Sequence, residues 1–220
     1  MSCCGKVICC GCIYAPVYDN QGNKVDEKKC AFCRTPAPTS LKEAFERGKK
    51  RFEAGDAIAV YNAGSYYHYG INGYPQDWTK ALELYHQAGG LGYSKAYCNI
   101  GYCYEHGRGL EVDKKKAMHY YELAAIEGNE TARFNLGLYL QYDEESKGNM
   151  DRALKHYMIA ARNGYNESLK QIQDLYSNGQ ATREDFTRGL QSYQTFLMEI
   201  KSIHRDKAAA HNNEEFRYYQ

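Results

Sequence analysis

Tryptophan and proline are almost missing from this chain: its 220 residues include one Trp and four Pro. So little proline excludes a Pro-rich or collagen-like chain. Charge of one sign is missing too, with 28 Lys and Arg against 27 Asp and Glu, a net of +1. That balance argues against a nucleic-acid binder, which needs a basic excess. No apolar run reaches the ~18 residues of a spanning helix, so no membrane span is expected. P-loop, dinucleotide fingerprint, nucleophile elbow and His-Glu-x-x-His motifs are all lacking, which leaves an enzyme reading without a residue set. What is present is globular in kind: 43% apolar, 25% charged, 20 Gly and an unusual 22 Tyr. A chain of this length can bury a core.

Cysteine is unevenly spent. Positions 3, 4, 9, 10, 12, 30 and 33 hold seven of the nine, and only Cys98 and Cys103 come later. The first 55 residues carry a charge of +4 and the remainder −3. Arg34-Thr-Pro-Ala-Pro-Thr-Ser40 holds two of the four prolines and reads as a linker. The expected divisions are therefore a Cys-rich module over 1–39, a main domain over 40–202 and a tail over 203–220. Lys6 and the weakly apolar run after it do not make a secretory signal. Without one, a reducing compartment is expected, cytoplasmic or nuclear, with no disulfides. Ser2 excludes myristoylation, whereas Cys3-Cys4 leaves palmitoylation open.

A repeat runs through the main domain. Gly64, Gly101 and Gly137 step by 37 and then 36 residues. Ala81, Ala117, Ala153 and Gly189 lie 36 apart, and Tyr85, Tyr121, Tyr157 and Tyr193 follow each by four. Ala88, Ala124, Ala160 and Phe196 come three later, and Gly92, Gly128 and Gly164 close the first three units. The spacings i, i+4, i+7 are those of one helical face. Each unit therefore predicts two helices, with Gly70 and Gly107 ending first helices and Asp77, Asp113 and Asp185 preceding the second helices by about one turn. Small residues let neighbouring helices approach, and one Tyr fills the gap. One pair alone cannot bury its apolar face, so the pairs must stack. Ser40-x-x-Glu43 is a capping box for a half unit over 41–54. The fourth unit departs from the pattern, with Gln173 in place of Gly and Gly189 in place of Ala.

This pattern resembles the Sel-1-like repeat. Residues 94–129 are the best copy, through Ala96, Asn99, Gly101, Tyr104, Gly107, Gly109, Asp113, Lys116, Ala117, Tyr121, Ala124, Ala125 and Gly128. The resemblance covers about residues 40–200. It implies an all-α fold, a right-handed α/α superhelical solenoid of about three and a half to four tetratricopeptide-like helix pairs. It also implies an adaptor that holds a protein or peptide partner.

Cys9-x2-Cys12 and Cys30-x2-Cys33 stand 17 residues apart, a spacing that predicts zinc. Four thiolates complete a tetrahedral site. Metal binding, about 10–16 kcal/mol in comparable units, would fold a segment poor in large apolar residues. Free or lipid-modified thiols are the alternative. The segment from Cys3 to Ile13, with the later Cys-x-x-Cys-Arg-x-Pro, is similar to the latter part of a RING finger. That resemblance implies two interleaved ions. Cys9 and Cys12 would share one with an upstream pair, and Cys3 or Cys4 would join Cys30 and Cys33 on the other. Lys6 stands where many RINGs carry His. The upstream pair is absent from the sequence, so the RING is either truncated or degenerate, or Cys9, Cys12, Cys30 and Cys33 close a single site. Arg34 matches the cation that holds conjugated ubiquitin in RING ligases. The alternative function is therefore a substrate-binding RING-type ubiquitin ligase, with a ubiquitin-conjugating enzyme as partner.

In tetratricopeptide register, the inner face of the first helices carries Tyr61, Ser65, His68 and Tyr69. Lys95, Cys98, Tyr102, Glu105 and His106 follow, then Phe134, Leu138, Gln141 and Tyr142. Tyr61, Tyr69, Tyr102, His106, Phe134 and Tyr142 are the candidate partner contacts, since aromatics with polar tips give area at small entropic cost. The competing reading is that many of these rings are core. The seven histidines, 68, 86, 106, 119, 156, 204 and 211, read as solvated or capping. Cys98 and Cys103 read as buried fillers. Asn62, Asn99 and Asn135 recur in register and predict a structural hydrogen bond within each unit.

Overall fold

The computed structural model describes residues 40–142 and 149–200. Among them are nine α-helices and no strand. They are α1 (Leu41–Glu53), α2 (Ala57–Tyr69), α3 (Trp78–Gly90), α4 (Ser94–His106), α5 (Lys114–Ile126), α6 (Glu130–Tyr142), α7 (Met150–Arg162), α8 (Asn166–Ser177) and α9 (Arg183–Ile200). The described residues divide into two units, residues 40–59 with 200, and residues 60–142 with 149–199.

In the first unit, α1 begins where the capping box predicts. Ser40 Oγ accepts from the Glu43 N–H at 3.2 Å. Asp56 then takes the Arg51 guanidinium at 2.7 Å and the Ala59 N–H at 2.9 Å, so one carboxylate ties α1 to the start of α2.

The second unit is built from the helix pairs the period predicts. Each second helix is capped by a side chain. Asp77 accepts from the Lys80 N–H and Asp113 from the Lys116 N–H, both at 2.9 Å, and Asn149 accepts from the Arg152 N–H at 3.2 Å. The fourth pair differs from expectation, because Thr182 holds the cap and Asp185 lies inside the first turn. Asp185 accepts from the Thr182 N–H at 3.0 Å while its own N–H donates to Thr182 Oγ1 at 3.1 Å, a reciprocal capping box. At the other ends, Gly92, Gly128 and Gly164 adopt φ of 85°, 85° and 90°. The next N–H in each case returns to the helix: Tyr93 to Ala88, Asn129 to Ala124, Tyr165 to Ala160. Positive φ is why glycine recurs there.

Packing follows from the paired Gly and Tyr. Tyr85, Tyr121 and Tyr157 are completely buried. A Cβ on Gly64 would lie 2.9 Å from the Tyr85 ring, and one on Gly101 2.7 Å from the Tyr121 ring; Gly137 meets Tyr157 in the same way. The cores are shared between pairs. One joins Val60, Ala81, Tyr85 and Ala88 to Ala96 and Ile100 of the next pair. The next joins Cys98, Ala117 and Tyr121 to Ala132 and Leu136. A third joins Leu140, Ala153 and Tyr157 to Ile172 and Leu175. Each pair thus needs the following first helix to complete its core, as a stacked repeat should. The fourth pair inverts the fit: Gln173 is exposed, and Gly189 instead accommodates Ile172, whose Cδ1 would lie 2.9 Å from an added Cβ.

Candidate functional site

The Cys-rich candidates, Cys3, Cys4, Cys9, Cys12, Cys30 and Cys33, lie outside the described residues. Among the described residues no group of three or more His, Cys, Asp or Glu could hold a metal ion. Cys98 and Cys103 are free and buried. Burial pushes their thiols up to about 12 and about 11, so neither is a ready nucleophile.

The six candidate contacts on the first helices separate into two kinds. Tyr61 and Phe134 are half-buried joints between units. Tyr61 packs on Tyr85 (ring centroids 5.5 Å apart) and edge-on to Tyr93 (4.9 Å), and its hydroxyl accepts from Asn99 Nδ2 at 3.2 Å. Burial raises its pKa above the usual phenol value. Phe134 packs on Tyr157 at 5.6 Å and on Tyr165 of the following turn at 5.1 Å. The other four are exposed. Tyr69 is 63% and Tyr142 69% exposed, and Tyr102 and His106 also face solvent.

Tyr69, His106 and Tyr142 each stand five residues after a repeat glycine, so the period places one exposed ring at the same site of α2, α4 and α6. Tyr102 and His106 stack with centroids 4.2 Å apart, one helical turn from each other. Beneath Tyr69 and Tyr102 lies His68. Its ring centroid is 4.4 Å from Tyr69, 4.4 Å from Trp78 and 6.1 Å from Tyr102. Arg108 covers Trp78 at 5.1 Å. Tyr142 is not part of this cluster. With Gln141, Gln171, Asp174, Leu175, Ser177, Asn178 and Gln180 it lines a cleft of about 500 Å³ between α6 and α8. There Gln141 Oε1 accepts from the Tyr157 hydroxyl at 2.7 Å and from Gln171 Nε2 at 3.2 Å.

Two expectations change. His68 is neither solvated nor a cap. It is 4% exposed, because Trp78, Tyr85 and Tyr102 close over it from the next two helices. The bond expected within each unit crosses between units at Asn99, which donates to the Tyr61 hydroxyl of the preceding unit. The Trp78 cluster escaped sequence reasoning, since Trp78 belongs to no repeat position. A solitary Trp one residue after a capping Asp was the available signal.

Residues 57–93, 94–129 and 131–165 match the model of the Sel1 repeat, so three Sel1 repeats cover α2 to α7 and the turns that follow. Solved structures agree. A Sel1 repeat protein from Oxalobacter formigenes is 27% identical, with a TM-score of 0.59 over 73% of this chain and 64% of that one. A protective antigen present in uropathogenic Escherichia coli strains, described as displaying an SLR fold, is also 27% identical. It has a TM-score of 0.59 over 71% of this chain and 33% of its own. The chain thus spans less than two thirds of either structure's length. No curated protein sequence matches it.

Proposed function

We propose that this chain is a protein-interaction scaffold whose docking face is the exposed aromatic row Tyr69, His106 and Tyr142, with Tyr102 beside it. Sel1 repeat proteins bind protein partners. The observation that carries the reading is register: the period repeats an exposed ring at one site of three successive first helices. These rings are exposed, whereas the recurrent tyrosines of the second helices, Tyr85, Tyr121 and Tyr157, are buried. Rings with polar tips are the side chains that anchor protein interfaces. The repeats would wind as a right-handed superhelix.

The test is capture by crosslinking from cell extract with the wild-type chain, the triple variant Tyr69→Ala, His106→Ala, Tyr142→Ala, and Ile126→Glu on α5, where Ile126 is 75% exposed. The expected result is a partner retained by Ile126→Glu and lost by the triple variant, with helicity unchanged in both. The reverse pattern would move the docking face to the second helices.

The Cys-rich segment carries the second part of the reading. Cys9, Cys12, Cys30 and Cys33, with Cys3 or Cys4, would hold zinc, supported by their spacing. Bound zinc would supply folding energy rather than chemistry. Metal analysis after expression with zinc should find one or two ions per chain, and the quadruple Cys→Ser variant should lose them. The ligase reading, with a ubiquitin-conjugating enzyme on this segment, predicts autoubiquitination, and blank assays with several conjugating enzymes would remove it.

A further inference from the structure

His68 occupies a position with a stated task in the neighbouring repeats. Four residues after the repeat glycine stand His68, Glu105 and Gln141. Glu105 accepts the Tyr121 hydroxyl at 2.6 Å and Gln141 the Tyr157 hydroxyl at 2.7 Å. In the first repeat the Tyr85 hydroxyl turns to Ser65 Oγ at 3.4 Å instead, and His68 Nδ1 is buried with no hydrogen-bond partner. Such an atom calls for an explanation.

The surroundings supply one. On its own helix the ring meets Tyr69, and Gln76 Nε2 fixes its main-chain oxygen at 3.0 Å. α3 contributes Trp78 and Tyr85 (centroid 5.9 Å), and α4 contributes Tyr102, on which His106 is stacked. The cation near this cluster is Arg108, lying over Trp78. Gly109 presses on the same Trp, where a Cβ would come within 2.6 Å of Trp78 Cβ. Trp78, His68 and Tyr102 therefore join the first repeat to the second, and in that join the His68 Nδ1 has no hydrogen-bond partner.

We propose that His68 is an acid-sensitive joint: neutral, it holds α2, α3 and α4 together through Trp78 and Tyr102, and on protonation it loosens that contact beneath Tyr69 and Tyr102. Burial, with Arg108 adding to it, holds the imidazole below the ordinary histidine value. The sign follows. Its contribution to stability is complete above about pH 6.5, the free value, and is lost as pH falls from there through the lower folded value. Weaker partner binding in acid would be a consequence, and only that consequence rests on the proposed docking face.

Trp78 is the single Trp of the chain, so its emission reports this joint alone. Emission and acrylamide quenching are measured from about pH 7.5 down to about pH 5, with no partner present. The wild-type protein should show one reversible transition with a midpoint below about 6.5, toward lower emission and easier quenching. His68→Gln, the residue that the third repeat already carries there, should abolish it. His86→Gln and His156→Gln should retain it, although both imidazoles are also held low by burial. A flat wild-type profile, or the same transition in His68→Gln, overturns the proposal. Should His68→Gln fail to fold, the imidazole resonances of the wild-type protein decide: a His68 midpoint at or above the free value also overturns it. Failure of the docking experiment with a positive Trp78 transition would remove the docking face and leave the joint.

Discussion

A missing methyl group does much of the structural work in this protein. Gly101 is buried under Tyr121, whose ring is pinned at its far end by the bond to Glu105. Gly101→Ala should therefore cost about 1–3 kcal/mol through overpacking, read as a lower urea midpoint. Gly48, inside α1 with nothing within 4 Å of an added Cβ, makes the contrast. Gly48→Ala should stabilise by about 0.5–1 kcal/mol through helix propensity. If both substitutions act alike, the Gly–Tyr fit is not the determinant. Tyr121→Phe keeps the ring but removes its 2.6 Å bond to Glu105, and should cost about 1 kcal/mol. Tyr121→Ala empties the socket and should cost about 3–5 kcal/mol. The interval between those two variants in chemical unfolding separates the ring's packing from its hydroxyl.

Helices in this fold are short, mostly 13 residues, below the length at which an isolated helix is stable in water. Caps and shared cores must make up the difference. Asp77→Ala removes the acceptor of the Lys80 N–H and should lower stability by about 1 kcal/mol, whereas Asp77→Asn should lose little. Acid should act through the same devices. The Lys116 N–H holds the Asp113 carboxyl below its usual value, and Thr182, then Arg188, do so for Asp185. Folded values below unfolded ones mean stabilisation that is complete above about pH 4 and lost as pH falls through the lower folded values. Asp185→Asn should flatten that part of the acid unfolding curve, and a slope unchanged in the variant would place the effect elsewhere. The exchange of roles at the last pair, with Thr182 as cap and Asp185 in the first turn, shows where the periodic reading failed: a shift of three residues preserved the chemistry but moved the carboxylate.

Across residues 60–199, each core borrows from the next pair, and the fourth pair is packed in its own way. α9 lays Phe196 against Gly164, Gly189 against Ile172, and Phe186 over Tyr176 at 5.4 Å. A chain ended at Gln180 would expose Ile172 and Leu175, both buried now. It should unfold at lower temperature and self-associate in sedimentation velocity, since a repeat stripped of its neighbour exposes apolar surface that would otherwise be shared. An unchanged, monomeric truncated chain would show that α9 is dispensable. Much of this architecture was legible beforehand, from Gly64, Gly101 and Gly137 and their partner tyrosines, because a repeat writes its packing into the letters at fixed intervals. The aromatic face was only half legible. Tyr61 and Tyr69 read alike in sequence, yet one is a joint between units and the other stands in solvent.

By itself the sequence determined the helix pairs, their turns and the Gly–Tyr sockets, since those depend on spacing within one unit. Tertiary structure decided which rings are left for a partner and that His68 is enclosed. Both depend on what the next unit brings, and no residue's own register contains the surface of its neighbour.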